Sequence, residues 1–124
     1  MVRPAGGVAS RAMDTFDWDR AGRVTDILYG AAAARGLLWY GPLERRVGMT
    51  ASQMGDLLGQ VSRESVAGGG PMWTALCVSV TTKRPQARFY ELARELRPEY
   101  QGLTNERLWM IERDRCYAAV HAEQ

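Results

Sequence analysis

Apolar residues recur at helical spacing through the first half of the chain. Trp18, Val24, Ile27, Leu28 and Ala31 predict a helix that Asp14 or Asp17 caps and that runs to about Arg35. Gly36 is placed to end it in a left-handed conformation. The apolar run 37–40 reads as a short strand or a buried connector. Gly41-Pro42 then opens a short second helix, with Leu43 and Val47 inward and Arg45 and Arg46 outward. Gly48-Met49 breaks it. Thr50 caps a third helix running to about Val66, with Met54, Leu57, Leu58 and Val61 along its inner line.

Gly68-Gly69-Gly70-Pro71 interrupts the helical pattern. The uncharged run 72–80 is rich in Trp, Val, Leu and Cys and predicts a buried strand. Residues 81–85 read as a basic turn. Residues 86–90 follow as a returning strand with Phe89 inward, then 91–96 as a short helix. A last helix begins at a Thr104 or Asn105 cap and reaches about Val120, with Leu108, Ile111 and Tyr117 inward. This order predicts an α+β, mostly helical fold: a winged helix-turn-helix-like core with a β-hairpin and flanking N- and C-terminal helices. Residues 1–13 are rich in small residues without a period and read as a flexible tail, leaving 14–124 as a single domain.

Composition narrows the class. Of 124 residues, 46% are hydrophobic and 24% charged, the mixture of a globular domain rather than a disordered chain. No apolar run is long enough to span a bilayer. No apolar stretch follows Met1-Val2-Arg3-Pro4 as a secretory signal would require, and cysteines are scarce, so a cytoplasmic location is expected. Two cysteines and one histidine exclude the usual zinc patterns, and no cofactor is expected. The net charge is +2, but residues 41–97 carry eight Lys/Arg against five Asp/Glu. A mild basic bias in the middle of the chain suits nucleic acid.

The expected binding face follows from that layout. In a winged helix the second helix of the unit enters the major groove and the hairpin tip meets phosphates. Ser52, Gln53, Gln60 and Arg63 are the outward candidates on the helix; Lys83, Arg84 and Arg88 are those of the wing. The leading expectation is a non-enzymatic nucleic-acid-binding protein, with DNA as the expected partner. The alternative is an adaptor that binds another protein through the same surface. A third, weaker reading is an enzyme related to base-repair proteins.

Residues Tyr40 to Met49, Leu57-Leu58, Gly70 to Val78 and Lys83-Arg84-Pro85 together resemble an uncharacterised bacterial and phage-associated family with a YGELA…LPPLTALVVNK…GRPG pattern. The resemblance covers about half the chain and implies an association with mobile elements, but no substrate or catalytic residue. The same segment is distantly similar to the C-terminal domain of the O6-alkylguanine DNA alkyltransferases, which carries a reactive cysteine in Pro-Cys-His-Arg. Here Val78 and Ser79 stand where His and Arg would be, so the resemblance extends to the fold and not to the chemistry.

The remaining chemistry-bearing residues read as structural. Cys77 in an apolar strand and Cys116 on the last helix read as small hydrophobes. His121 reads as a solvated residue near a frayed end. Glu91, Glu95, Glu106, Glu112 and Asp114 stand among arginines as ordinary surface pairs. Trp39, Trp73 and Trp109 are assigned to the core, with an exposed base-stacking platform as the alternative. The glycine run 68–70 lacks the Lys-Ser/Thr of a phosphate loop and is a linker.

Overall fold

A computed structural model describes residues 17–122, so the tail expected at 1–13 and the Asp14 cap lie outside it. Among the described residues the chain forms five α-helices and two very short strands. The order is α1 (Trp18–Ala33), β1 (Leu38–Trp39), α2 (Tyr40–Val47), α3 (Ala51–Ala67), a 3-10 turn (Trp73–Leu76), β2 (Cys77–Val78), α4 (Ala87–Leu96), a second 3-10 turn (Pro98–Tyr100) and α5 (Asn105–His121).

Local chemistry sets the helix ends. Asp17 caps α1 by accepting from the Arg20 N–H at 2.9 Å. The left-handed residue that closes α1 is Arg35, with φ of 53°, and not Gly36 as expected. Gly36 N–H instead donates to the Ala31 carbonyl at 2.8 Å, completing the closing turn one residue later. The Arg35 guanidinium lies 5.9 Å from the Tyr117 ring centroid, and the Tyr117 hydroxyl donates to the Gly36 carbonyl at 3.1 Å. Gly48, with φ of 68°, closes α2, and Thr50 with Gln53 forms a reciprocal capping box on α3. A Cβ at Gly70 would stand 2.6 Å from Ser65 Oγ and 3.2 Å from the Ser65 carbonyl oxygen, so Ser65 would have to shift to accept a side chain there.

The expected hairpin is not formed. Residues 73–76 make a 3-10 turn, only Cys77–Val78 is extended, and this pair runs parallel to β1 in the register Leu38↔Cys77 and Trp39↔Val78. Residues 87–90, expected as a returning strand, are the first turn of α4. The reason is spacing: Phe89, Tyr90 and Ala93 are buried together, and positions i, i+1 and i+4 share a face only in a helix. The uncharged run at 72–80 signalled burial, and burial alone does not choose between a strand and a turn. The basic tip does close on itself, with Lys83 N–H donating to Ser79 O at 2.7 Å and Ser79 N–H to Arg84 O at 3.0 Å.

The 3-10 turn Trp73–Leu76 lies at the centre, packed against α1, α3 and α5. Ala75 and Leu76 are fully buried there beside Leu28, Met54, Met72 and Leu108. Ser62 and Thr74 share a buried hydrogen bond of 2.8 Å, and Trp109 Nε1 donates to the Ala75 carbonyl at 2.9 Å. Trp109 is thus core as expected, Trp73 is half-buried, and Trp39 is 40% exposed, contrary to its core assignment.

Glu112 is the largest departure from expectation. It is fully buried rather than a surface residue. Its carboxylate accepts from the Met72 N–H at 3.0 Å, from Arg97 Nε at 2.5 Å and from the Tyr100 hydroxyl. Burial and this hydrogen bond push the Tyr100 phenol well above its ordinary range. Arg97 also donates to the Gly70 carbonyl at 3.0 Å. Removing one partner of a buried pair strands the other charge. Glu112→Ala should therefore cost about 3–5 kcal/mol in urea unfolding. Glu106→Ala, which breaks an exposed pair, should cost about 1 kcal/mol or less. Equal costs would show that the buried network does not hold the fold.

Candidate functional site

The candidate binding residues are polar or basic, and the fold engages most of them. Gln53 has its side chain in the α3 cap, where its Oε1 accepts from the Thr50 N–H at 2.9 Å. Gln60 donates to Glu64 at 3.0 Å. Arg63 forks onto Glu95 of α4 with bonds of 2.5 and 3.2 Å and holds that carboxyl below its ordinary range. Arg84 forks onto Glu106 of α5 at 2.7 and 2.8 Å, with the same effect on that carboxyl, and lies 4.1 Å from the Trp109 ring centroid. Arg88 reaches Asp56 of α3 at 3.2 Å. Lys83, left-handed at φ of 59°, sits 5.3 Å from the Trp39 ring centroid. Ser52 is exposed at the start of α3.

Three of these seven residues come together. Gln60, Arg63 and Arg88 line a groove of about 340 Å³ between α3 and α4. Its apolar lining includes Met54, Leu58, Phe89 and Leu92, and Tyr40 joins it. The Tyr40 hydroxyl accepts from the Gln86 N–H at 3.1 Å, and burial raises its pKa far above normal. Glu44, Asp56, Glu91 and Glu95 are the groove's four carboxylates against two arginines, and each arginine is paired with one of them. Ser52, Gln53, Lys83 and Arg84 do not line it. Lys83 and Arg84 stand instead on the loop tied to β1 and α5.

The sequence marks Glu91 and Glu95 as surface-pairing residues and Tyr40 as part of a motif, without pointing to a groove, although one further signal is present. Gly55 and Gly59 are four apart inside α3, and both line the groove. Glycine is costly inside a helix, and while a Cβ at Gly59 would meet nothing within 4 Å, one at Gly55 would meet a close neighbour. At Gly55 the approaching group is Arg88, whose Nη1 would stand 2.5 Å from an added Cβ.

A second groove, of about 430 Å³, lies on the opposite flank of α3, against α1. Trp18, Gly22, Asp26, Glu64 and Trp73 are among its walls, and Gln60 lines both grooves from the ridge between them. Helix α3 therefore stands between two acidic channels. No group of three or more His, Cys, Asp or Glu among the described residues could hold a metal ion. No helix among them is long and apolar enough to cross a membrane.

Cys77 is fully buried, and burial pushes its thiol up to about 12. Cys116 is likewise buried, with its Sγ 3.3 Å from the Met72 carbonyl oxygen, and its thiol is also raised. The thiolate is the reactive form, so both thiols are suppressed at neutral pH. His121 belongs to the last turn of α5 and is half-buried, with no hydrogen-bond partner for Nε2 among the described residues, rather than solvated at a frayed end.

A bulky thiol reagent at neutral pH should modify neither cysteine in the folded state and both in urea. Prompt modification of Cys77 in the native protein would return the alkyl-transfer reading to consideration. Neither a protein-family model, nor a curated protein, nor a solved structure matches this chain. The resemblances noted for residues 40–85 accordingly rest on their motifs alone.

Proposed function

We propose that this chain is a non-enzymatic interaction domain that binds another protein, taking a basic amphipathic segment along the groove between α3 and α4. The observation that carries this reading is the charge of that groove: four carboxylates against two arginines that are already paired. Phosphates laid there would face net negative charge and would have to displace Glu95 and Asp56 to reach Arg63 and Arg88. A cationic partner gains from both conditions. The apolar floor suits the buried face of a helix, with the acidic rim meeting its polar face.

A nucleic-acid reading keeps one specific support. Helix α2, the Gly48 turn and α3 pack on α1 in the order of a helix-turn-helix unit, and Arg45 and Arg46 at the end of α2 are exposed without an ion pair among the described residues. Lys83, with no carboxylate partner there, would add to such a face.

Fluorescence anisotropy across a salt series separates the two. The probes are a labelled amphipathic helical peptide of leucine and lysine, and labelled duplex and single-stranded oligonucleotides. The expected result is salt-sensitive binding of the peptide and no binding of oligonucleotide at low salt. Glu44→Lys with Glu91→Lys should weaken the peptide by about tenfold or more, since both line the groove without an ion pair among the described residues. The outcome that sinks the proposal is duplex binding without peptide binding. In that case Lys83→Ala with Arg84→Ala should flatten the log–log salt slope by about 0.9 per lost phosphate contact.

A further inference from the structure

Two ion pairs bridge the α3–α4 groove, and both follow one pattern. Arg63 of α3 forks onto Glu95 of α4, and Arg88 of α4 reaches back to Asp56 of α3 at 3.2 Å. Each pair joins residues 32 positions apart, so α3 and α4 run in the same direction, with acid and base changing sides between the pairs. Asp56 and Arg63 are seven residues apart in α3, as Arg88 and Glu95 are in α4. Seven residues return a helix to the same face about 10 Å further along. The pairs are therefore two straps across one groove, and all four side chains line it.

Gly55 adds an independent observation. It lies inside α3, where alanine would make a better helix. The Arg88 guanidinium occupies the space of the missing side chain: an added Cβ would stand 2.5 Å from Nη1 and 3.4 Å from Cζ. One strap thus lies across α3 on a glycine that helix stability does not favour. Both straps are also easily released. About half or more of each of the four side chains is open to solvent, and exposed ion pairs are weak.

We propose that the two straps compete with the partner for Asp56 and Glu95, so that the groove selects a helix presenting two cations seven residues apart on one face. This rests on the reading of the groove given above, and it adds the spacing that the partner carries and the resident groups that it displaces. A partner cation takes over a carboxylate and returns Arg88 or Arg63 to water, so an ion pair is exchanged and none is lost. Once one strap has opened, a second cation at i+7 meets the other carboxylate with little further loss of freedom. Cations at i+4 stand about 6 Å apart along a helix and match only one strap.

The test uses the full chain and three labelled helical peptides of one composition: leucine, alanine, glutamine and two lysines. The lysines stand at i and i+4, i and i+7, or i and i+11, spacings that all share a face. Fluorescence anisotropy at low salt should place the i+7 peptide about fivefold or more above the other two. Arg63→Gln with Arg88→Gln should tighten that peptide by about tenfold, because the resident competitors are gone. Asp56→Asn with Glu95→Gln should weaken it by about tenfold and remove the preference for spacing.

Gly55→Ala keeps every charge and pushes Arg88 away from Asp56. It should tighten the i+7 peptide by about threefold while raising Tm, so that a damaged fold cannot account for the change. Equal binding of the three peptides, or affinity no higher in Arg63→Gln with Arg88→Gln or in Gly55→Ala, would overturn the straps and leave the reading of the groove standing. Failure of all three peptides and of the leucine-lysine peptide to bind would overturn both.

Discussion

The buried carboxylate of Glu112 joins parts of the chain that have little regular structure of their own. The 70–72 segment contributes the Met72 N–H and the Gly70 carbonyl, the turn after α4 contributes Arg97 and Tyr100, and α5 carries the acceptor. None of these backbone segments is stapled by a sheet, because the only sheet among the described residues is two strands of two residues each. A buried carboxylate without partners would be strongly unfavourable. The geometry that satisfies it is therefore narrowly specified, and with it the path of the chain from α3 into the central turn.

That path determines the rest. With Met72 held against α5, Trp73–Leu76 is delivered into the centre of the molecule, where the Trp109 indole bonds the Ala75 carbonyl and Ser62 meets Thr74. The exit from the turn leaves only Cys77 and Val78 to pair with Leu38 and Trp39. The next chain segment cannot return alongside as a strand, and it forms α4 against α3 instead. One groove on α3 follows from that placement. The other follows from α1, whose C-terminal end is tied to α5 through Tyr117 and Gly36.

Electrostatics shows how far tertiary contacts can change the meaning of a residue. Arg63, Arg84 and Arg88 supply three of the eight positive charges that give residues 41–97 their basic bias. Each meets a carboxylate from a different element: Glu95 of α4, Glu106 of α5 and Asp56 of α3. Such exposed pairs contribute little to stability, about 0–1 kcal/mol. Two of them, Arg63 with Glu95 and Arg88 with Asp56, lie in the α3–α4 groove, where four carboxylates stand against two arginines.

Local patterning was enough to determine four of the five helices among the described residues, α1, α2, α3 and α5, and missed the first turn of α4. The 3.6-residue recurrence of Leu57, Leu58 and Val61, the Thr50–Gln53 capping pair and the glycines at 48 and 68–70 are interactions between near neighbours, legible without knowing the fold. What lay beyond reach involves partners distant along the chain. The run at 72–80 announced burial, but its conformation depended on Glu112, forty residues away from Met72. Glu112 itself looks like any acid between arginines until α4 and the 70–72 segment close over it. The wing failed for the same reason, because Phe89 and Tyr90 pack towards a core that only the assembled helices create. The residues of the grooves were all visible in the sequence, and their charge balance was not, because an ion pair between elements is a property of where the elements lie.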